Sequence, residues 1–249
     1  MTAGLELDRD PDKPLVALGE RLSTRADVRA AADDLIAAMA ARGATRALVR
    51  SDDPFVLLRA IDATSRAGAD LYIAHTSLPD DMVEEISREQ GVHLVMAGED
   101  DWRDAPAVEG SGHIMMMTSG TTGRPKIAAH TLQSLRNRVR AATPELATEA
   151  LRWLLTYQPT GFAGIQVNLT AALGGGLVVA PPQRTPAGFH EAAKRWQVTH
   201  ISGTPTFWRS FLMVLRPGEF ALKRGQSAIH ALLVVFEFEG GWRGHVLGP

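Results

Sequence analysis

Three short strand-like runs, Arg46–Arg50, Leu71–Ala74 and Val92–Met96, are separated by segments whose apolar residues recur at helical spacing. A strand covered on both faces reads as a near-continuous apolar run, whereas a helix laid on a sheet shows one apolar stripe. The helices carry their own punctuation. Thr24 with Asp27 marks a start, Val28, Ala32, Leu35, Ile36 and Met39 share a face, and Gly43 closes it. Ser51-Asp52-Asp53-Pro54 opens a second helix that ends at Gly68, and Ser77 with Pro79 begins a third through Val83 and Ile86. Such alternation requires βαβ units around a parallel sheet. It resumes at Trp153–Thr156. A helical face follows (Phe162, Ile165, Leu169, Leu173), then a break at Gly174–Gly176 and a strand at Leu177–Ala180. Thr185-Pro186 opens a helix through Phe189, Ala193 and Trp196, Val198–Ile201 reads as a strand, and Pro205 starts a helix with Trp208, Phe211, Leu212 and Leu215. The expected class is α/β, with two layered βαβ-type subdomains.

At 249 residues the chain can bury one large core or two smaller ones. A formal net charge of −2 argues against nucleic acid or an anionic membrane as partner. With no cysteine, disulfides, thiolate catalysis and Cys-ligated metals are excluded. Met1–Pro14 is polar and acidic, and no apolar run approaches the roughly 18 residues needed to cross a bilayer, so a cytoplasmic protein is expected. Residues 1–20 read as a polar leader and Gly98–Gly112 as an exposed connection. Beyond Arg216–Phe220 the pattern loses regularity. Ala231–Phe236 is strand-like, and Glu237–Pro249 is glycine-rich with no closing element.

Between the two halves lies Thr118-Ser119-Gly120-Thr121-Thr122-Gly123-Arg124-Pro125-Lys126, fed by His113-Ile-Met-Met-Met117. Its hydroxyls donate hydrogen bonds, its glycines let backbone N–H groups approach a ligand, and its lysine adds positive charge. That set suits a polyphosphate. The phosphate loop of nucleoside triphosphatases does not fit. It needs lysine directly after the second glycine and a hydroxyl next, whereas Arg124 and Pro125 intervene here and Ile127 follows. No G-x-G-x-x-G, G-x-S-x-G or H-E-x-x-H occurs. Thr131 is positioned to cap a helix bearing Leu132, Leu135 and Val139, with Arg136, Arg138 and Arg140 read as its solvated side. Met115–Met117, Trp196 and Trp208 read as core, and His130 as a capping or packing residue. His75, His93, His190 and His200 show no metal-ligand spacing, so no metal site is expected from them.

Position by position, Thr118–Lys126 resembles the signature loop of the adenylate-forming superfamily: acyl-CoA synthetases, luciferase and the adenylation domains of peptide synthetases. Gly174–Pro181 and Val198–Pro205 resemble later landmarks of that family's large N-terminal domain, so the likeness spans about Leu22 to Phe220. The resemblance implies a family domain over 21–220, truncated, and a divergent tail over 221–249. It implies that Thr118, Ser119, Gly120, Thr121, Thr122, Gly123 and Lys126 hold the ATP phosphates. Phe162, Gly203, Thr204 and Pro205 would border an acyl pocket. The implied chemistry is attack of a carboxylic acid on ATP to give an acyl-adenylate. Coenzyme A or a carrier-protein pantetheine would then accept the acyl group. The family's aromatic-Gly-x-Thr-Glu segment is missing, since Gly240-Gly241 is followed by Trp242. Mg²⁺ is expected from the family, but its carboxylate ligand is not found, and no catalytic residue is assigned. A catalytically incomplete fragment is therefore expected, with a non-catalytic nucleotide-binding remnant or one half of a split enzyme as alternatives.

Overall fold

The computed structural model describes residues 4–118, 125–142 and 151–215, together with the strands at 222–223, 227–228 and 233–238. The chain opens with a hairpin, β1 (Pro14–Leu18) and β2 (Arg21–Thr24), which leads into α1 (Arg25–Ala41). Next come β3 (Arg46–Val49), α2 (Pro54–Ala67), β4 (Asp70–Ile73), α3 (Asp80–Glu89), β5 (Leu94–Met96) and β6 (Asp100–Trp102). The hairpin β7 (Ile114–Thr118) and β8 (Lys126–His130) runs into α4 (Leu132–Ala142). The second half continues through β9 (Arg152–Leu154), α5 (Phe162–Gly174), β10 (Leu177–Ala180), α6 (Pro186–Arg195), β11 (His200–Gly203) and α7 (Pro205–Leu212). Three further strands follow, β12 (Leu222–Lys223), β13 (Ser227–Ala228) and β14 (Leu233–Phe238).

Local chemistry sets the helix ends. Thr24 and Asp27 form a reciprocal capping box on α1. Asp53 caps α2, with Pro54 at its first position. Gly68 and Gly175, at φ 69° and 72°, end α2 and α5 in the left-handed conformation that glycine adopts without strain. Thr185 and Thr204 cap α6 and α7.

Two sheets result. One has the order β6-β5-β3-β4-β7-β8, parallel from β5 to β7 and antiparallel at both margins. The other runs β12-β14-β11-β9-β10-β1-β2, with β13 on β14, and is parallel from β11 to β1. Strand alternation distributes the core. Ile114 and Met116 face the cluster shared with α1, α2, α4 and α5, while Met115 and Met117 pack on the other face, with Val83 of α3. In the second sheet Trp153 and Val178 face α5, whereas Leu154 and Val179 face α6 and α7. Helices thus lie on both faces of each sheet, and α1, α2, α4 and α5 share the cluster that links the two. The two-layered α/β expectation is met.

Three expectations shift. The 1–20 leader is built into the domain: Leu5, Leu7 and Leu15–Ala17 are buried, and β1 pairs with β10 and β2. Its acidic turn at 8–12 masks short apolar runs whose partners lie far along the chain. Part of Gly98–Gly112 is strand β6, antiparallel to β5. Arg136 is buried rather than solvated, whereas Arg138 is exposed; the side chain of Arg140 lies outside the described residues.

Candidate functional site

Strand β7 leaves the parallel part of its sheet and returns as β8, with Met117 opposite Ile127 and Thr118 opposite Lys126. Ligands of open α/β sheets collect beyond the carboxyl ends of the parallel strands, which is where this connection begins. Thr118 ends β7, and exposed Lys126 begins β8 directly across from it. The ladder therefore places the lysine at the mouth of the loop. Ser119, Gly120, Thr121, Thr122 and Gly123 lie outside the described residues.

The other expected site residues occupy two places. Phe162 begins α5 beside the far end of β8. Its ring lies 6.5 Å from that of His130, and the Arg138 guanidinium sits over it at 5.0 Å. His130 lies four residue steps from Lys126 on β8, about 13 Å along the strand, so Phe162 sits at the opposite end of β8 from the lysine. Gly203, Thr204 and Pro205 form the junction of β11 and α7. Thr204 Oγ1 accepts from the Phe207 N–H at 3.1 Å, and Pro205 occupies the first turn. Gly203 admits the Phe207 ring; a Cβ there would lie 2.4 Å from Phe207 Cδ1.

A polar group at the carboxyl ends of β9 and β11 was not anticipated. Thr156 Oγ1 donates to the Ser202 carbonyl. The Tyr157 hydroxyl lies 3.3 Å from the Oγ of fully buried Ser202. Arg184, in the turn after β10, donates to the Thr156 carbonyl at 2.8 Å. Burial pushes the Tyr157 phenol above its ordinary range, opposed by the hydrogen bond to Ser202. Burial also lowers the Arg184 guanidinium, opposed by the charge of Asp52 just before α2. The available signal was the pair of polar residues, Thr156-Tyr157, directly after an apolar strand. Among the described residues no three His, Asp or Glu side chains gather as metal ligands. Likewise, no helix among them is long and apolar enough to cross a membrane.

The hairpin, its lysine and the nine-residue loop coincide with a family match. The model for AMP-binding enzymes matches residues 107–241, more than half of the chain. The chain belongs to the AMP-binding enzyme family. The match takes in the β7–β8 loop and extends into the segment 221–249 that the sequence marks as divergent; β14 within that segment pairs antiparallel with β11. Among curated proteins, the chain is 30% identical over 189 residues to N-(5-amino-5-carboxypentanoyl)-L-cysteinyl-D-valine synthase of Amycolatopsis lactamdurans, covering 62% of this chain and 5% of that enzyme. Among solved structures, it is similar to O-succinylbenzoate coenzyme A synthetase of Bacillus subtilis in complex with AMP. That likeness has a TM-score of 0.71 and 18% identity over 86% of this chain and 64% of that one. A luciferase-like enzyme from the mealworm Zophobas morio matches with a TM-score of 0.66 and 13% identity, over 85% of this chain and 60% of that one. At these identities the solved structures establish the fold. This AMP-binding chain corresponds to the N-terminal part of the adenylate-forming fold, and it spans 64% of the synthetase chain it resembles.

Proposed function

We propose that this chain is the ATP-phosphate-binding portion of an enzyme that activates a carboxylic acid as an acyl-adenylate. The observation that carries the reading is the loop Thr118–Lys126, hung between β7 and β8 in a fold of the AMP-binding family. In that reaction a carboxylate oxygen attacks the α-phosphorus of ATP, the bond to the bridging oxygen breaks, and pyrophosphate leaves. The protein's task is to hold two anions together and stabilise charge on the transferring oxygens. Hydroxyls and backbone N–H groups of Thr118–Gly123 bind the terminal phosphates, and Lys126 offsets their charge from across the hairpin. Mg²⁺ enters with ATP as its counter-ion. Phe162 and Gly203–Pro205 border the acid.

The acceptor is a thiol, from coenzyme A or a carrier-protein pantetheine. A likeness to a peptide synthase and to a coenzyme A synthetase supports either. No aromatic-Gly-x-Thr-Glu segment occurs in the sequence, so this chain binds ATP without completing turnover by itself. Pyrophosphate exchange driven by a panel of fatty, aromatic and amino acids tests this. The expected result is ATP binding without acid-dependent exchange. Exchange by this chain alone would overturn the incompleteness, and failure to bind ATP would overturn the phosphate reading.

A further inference from the structure

The segment Gly4–Leu7 is anchored to the domain by Leu5 and Leu7, both fully buried, while Glu6 between them is exposed. Buried charges hold it there. Fully buried Asp62 on α2 accepts from the Leu5 N–H at 2.7 Å. Arg25, the first residue of α1, donates to the Glu6 carbonyl at 2.9 Å and to the Ala172 carbonyl of α5 at 2.8 Å. Arg136 on α4 donates to the Gly4 carbonyl, and its guanidinium lies 3.2 Å from the Glu6 carboxylate. The fit is close: a Cβ at Gly4 would come 2.3 Å from Asp62 Oδ1. Glu6 itself sits at φ 57°, a conformation that a non-glycine residue keeps only where its surroundings impose it.

Arg136 stands apart on its helix. Leu132, Leu135 and Val139 of α4 pack into the shared core, and Arg136 is the charged side chain buried with them. A buried guanidinium persists only when partnered, and the partners shown for this one lie on Gly4 and Glu6. One residue, Thr131, separates α4 from β8. It caps the helix by accepting from the Ser134 N–H at 3.1 Å. Among the described residues β8 is an edge strand, bonded to β7 alone. The seat of α4 therefore determines how firmly the outgoing arm of the loop is held.

We propose that Arg136 is a positioning residue for the phosphate-binding hairpin. It locks α4, and through Thr131 the strand that carries Lys126, onto Gly4–Leu7. The functional arm of this proposal rests on the ATP-phosphate reading; the structural arm does not. Donors aimed at a phosphate act only while their geometry holds, so loosening β8 weakens nucleotide binding without removing a ligand-contacting group.

Hydrogen exchange and ATP titration on the 249-residue chain test this together, with Arg136→Met, Arg136→Lys and Glu6→Gln. In Arg136→Met the amides of β8 and α4 exchange about tenfold faster or more, while β3, β4 and β9–β11 keep their protection. The same variant binds ATP about tenfold more weakly, and Arg136→Lys recovers most of both losses. Unchanged β8 and α4 protection in folded Arg136→Met overturns the proposal. Faster exchange with unaltered ATP affinity overturns the positioning role. If Arg136→Met loses protection throughout, Glu6→Gln decides. It removes the ion pair but keeps the carbonyl bonds, and gives the same localised pattern at about threefold amplitude. Uniform or absent change in Glu6→Gln sinks the idea. Should the wild-type chain bind no ATP, the phosphate reading fails, while the exchange pattern still decides the Arg136 lock.

Discussion

Gly203→Ala offers a direct test of how the β11–α7 junction is built. A Cβ there would lie 2.4 Å from Phe207 Cδ1, 3.1 Å from Cε1 and 3.2 Å from Cγ. Carbon atoms in contact sit at about 3.5–4.0 Å, so the ring must retreat by roughly 1 Å. Its neighbours resist. Phe207 stacks on Phe211 at 5.2 Å and meets Phe189 edge-on at 5.2 Å and Trp208 at 5.5 Å. Its backbone is tied by the Thr204 cap. Overpacking of this kind costs about 1–3 kcal/mol. With a urea slope of about 3 kcal/mol per molar, the unfolding midpoint falls by roughly 0.3–1 M, readable by tryptophan fluorescence. Phe207→Leu in the same chain relieves the clash, and a double-mutant cycle shows a favourable coupling of about 1 kcal/mol. An unmoved midpoint, or additive single and double variants, would refute the account of the junction.

Further consequences follow from other buried groups. Asp62→Ala strands the Leu5 N–H and weakens the hold on Arg66, costing about 2–3 kcal/mol; melting should drop by roughly 5–10 °C, and an unchanged melt would contradict the buried bond. Thr185→Ala removes the cap that accepts from the Gly188 N–H and costs about 1 kcal/mol, seen as faster amide exchange in the first turn of α6. Burial raises the Tyr157 phenol in the folded state, so its contribution is fully present below about pH 10 and is lost as pH rises beyond that value. Tyr157→Phe should flatten the fall in urea midpoint above about pH 10; an identical fall in both proteins would count against that burial.

The legible parts of the fold are those whose causes are local. Thr24 with Asp27, Asp53 with Pro54 and Thr185 with Pro186 announce helix starts because cap and first turn are neighbours in sequence. The strands of both halves are legible because burial on both faces demands apolar runs. What was missed is set by distant partners. β1 is a strand because β10 lies beside it, and nothing within Pro14–Leu18 reveals that. Arg136 looked solvated because periodicity assigns a face but not the carbonyl that waits for it. The helical face through Phe162, Ile165, Leu169 and Leu173 is legible and becomes α5, yet the neighbours of Phe162, His130 and Arg138, come from a different part of the chain. The loop itself stands out because phosphate binding needs several donors within one short segment.

The central claim is that Thr118–Lys126 binds the phosphates of ATP. Calorimetric titration of Mg·ATP into the wild-type chain, Lys126→Ala and Thr121→Ala tests it most directly, with circular dichroism to show that each variant is folded. Losing one charge-assisted or hydroxyl contact should weaken binding by about tenfold or more in each variant. Wild-type affinity in both folded variants would place the phosphates elsewhere and contradict the account.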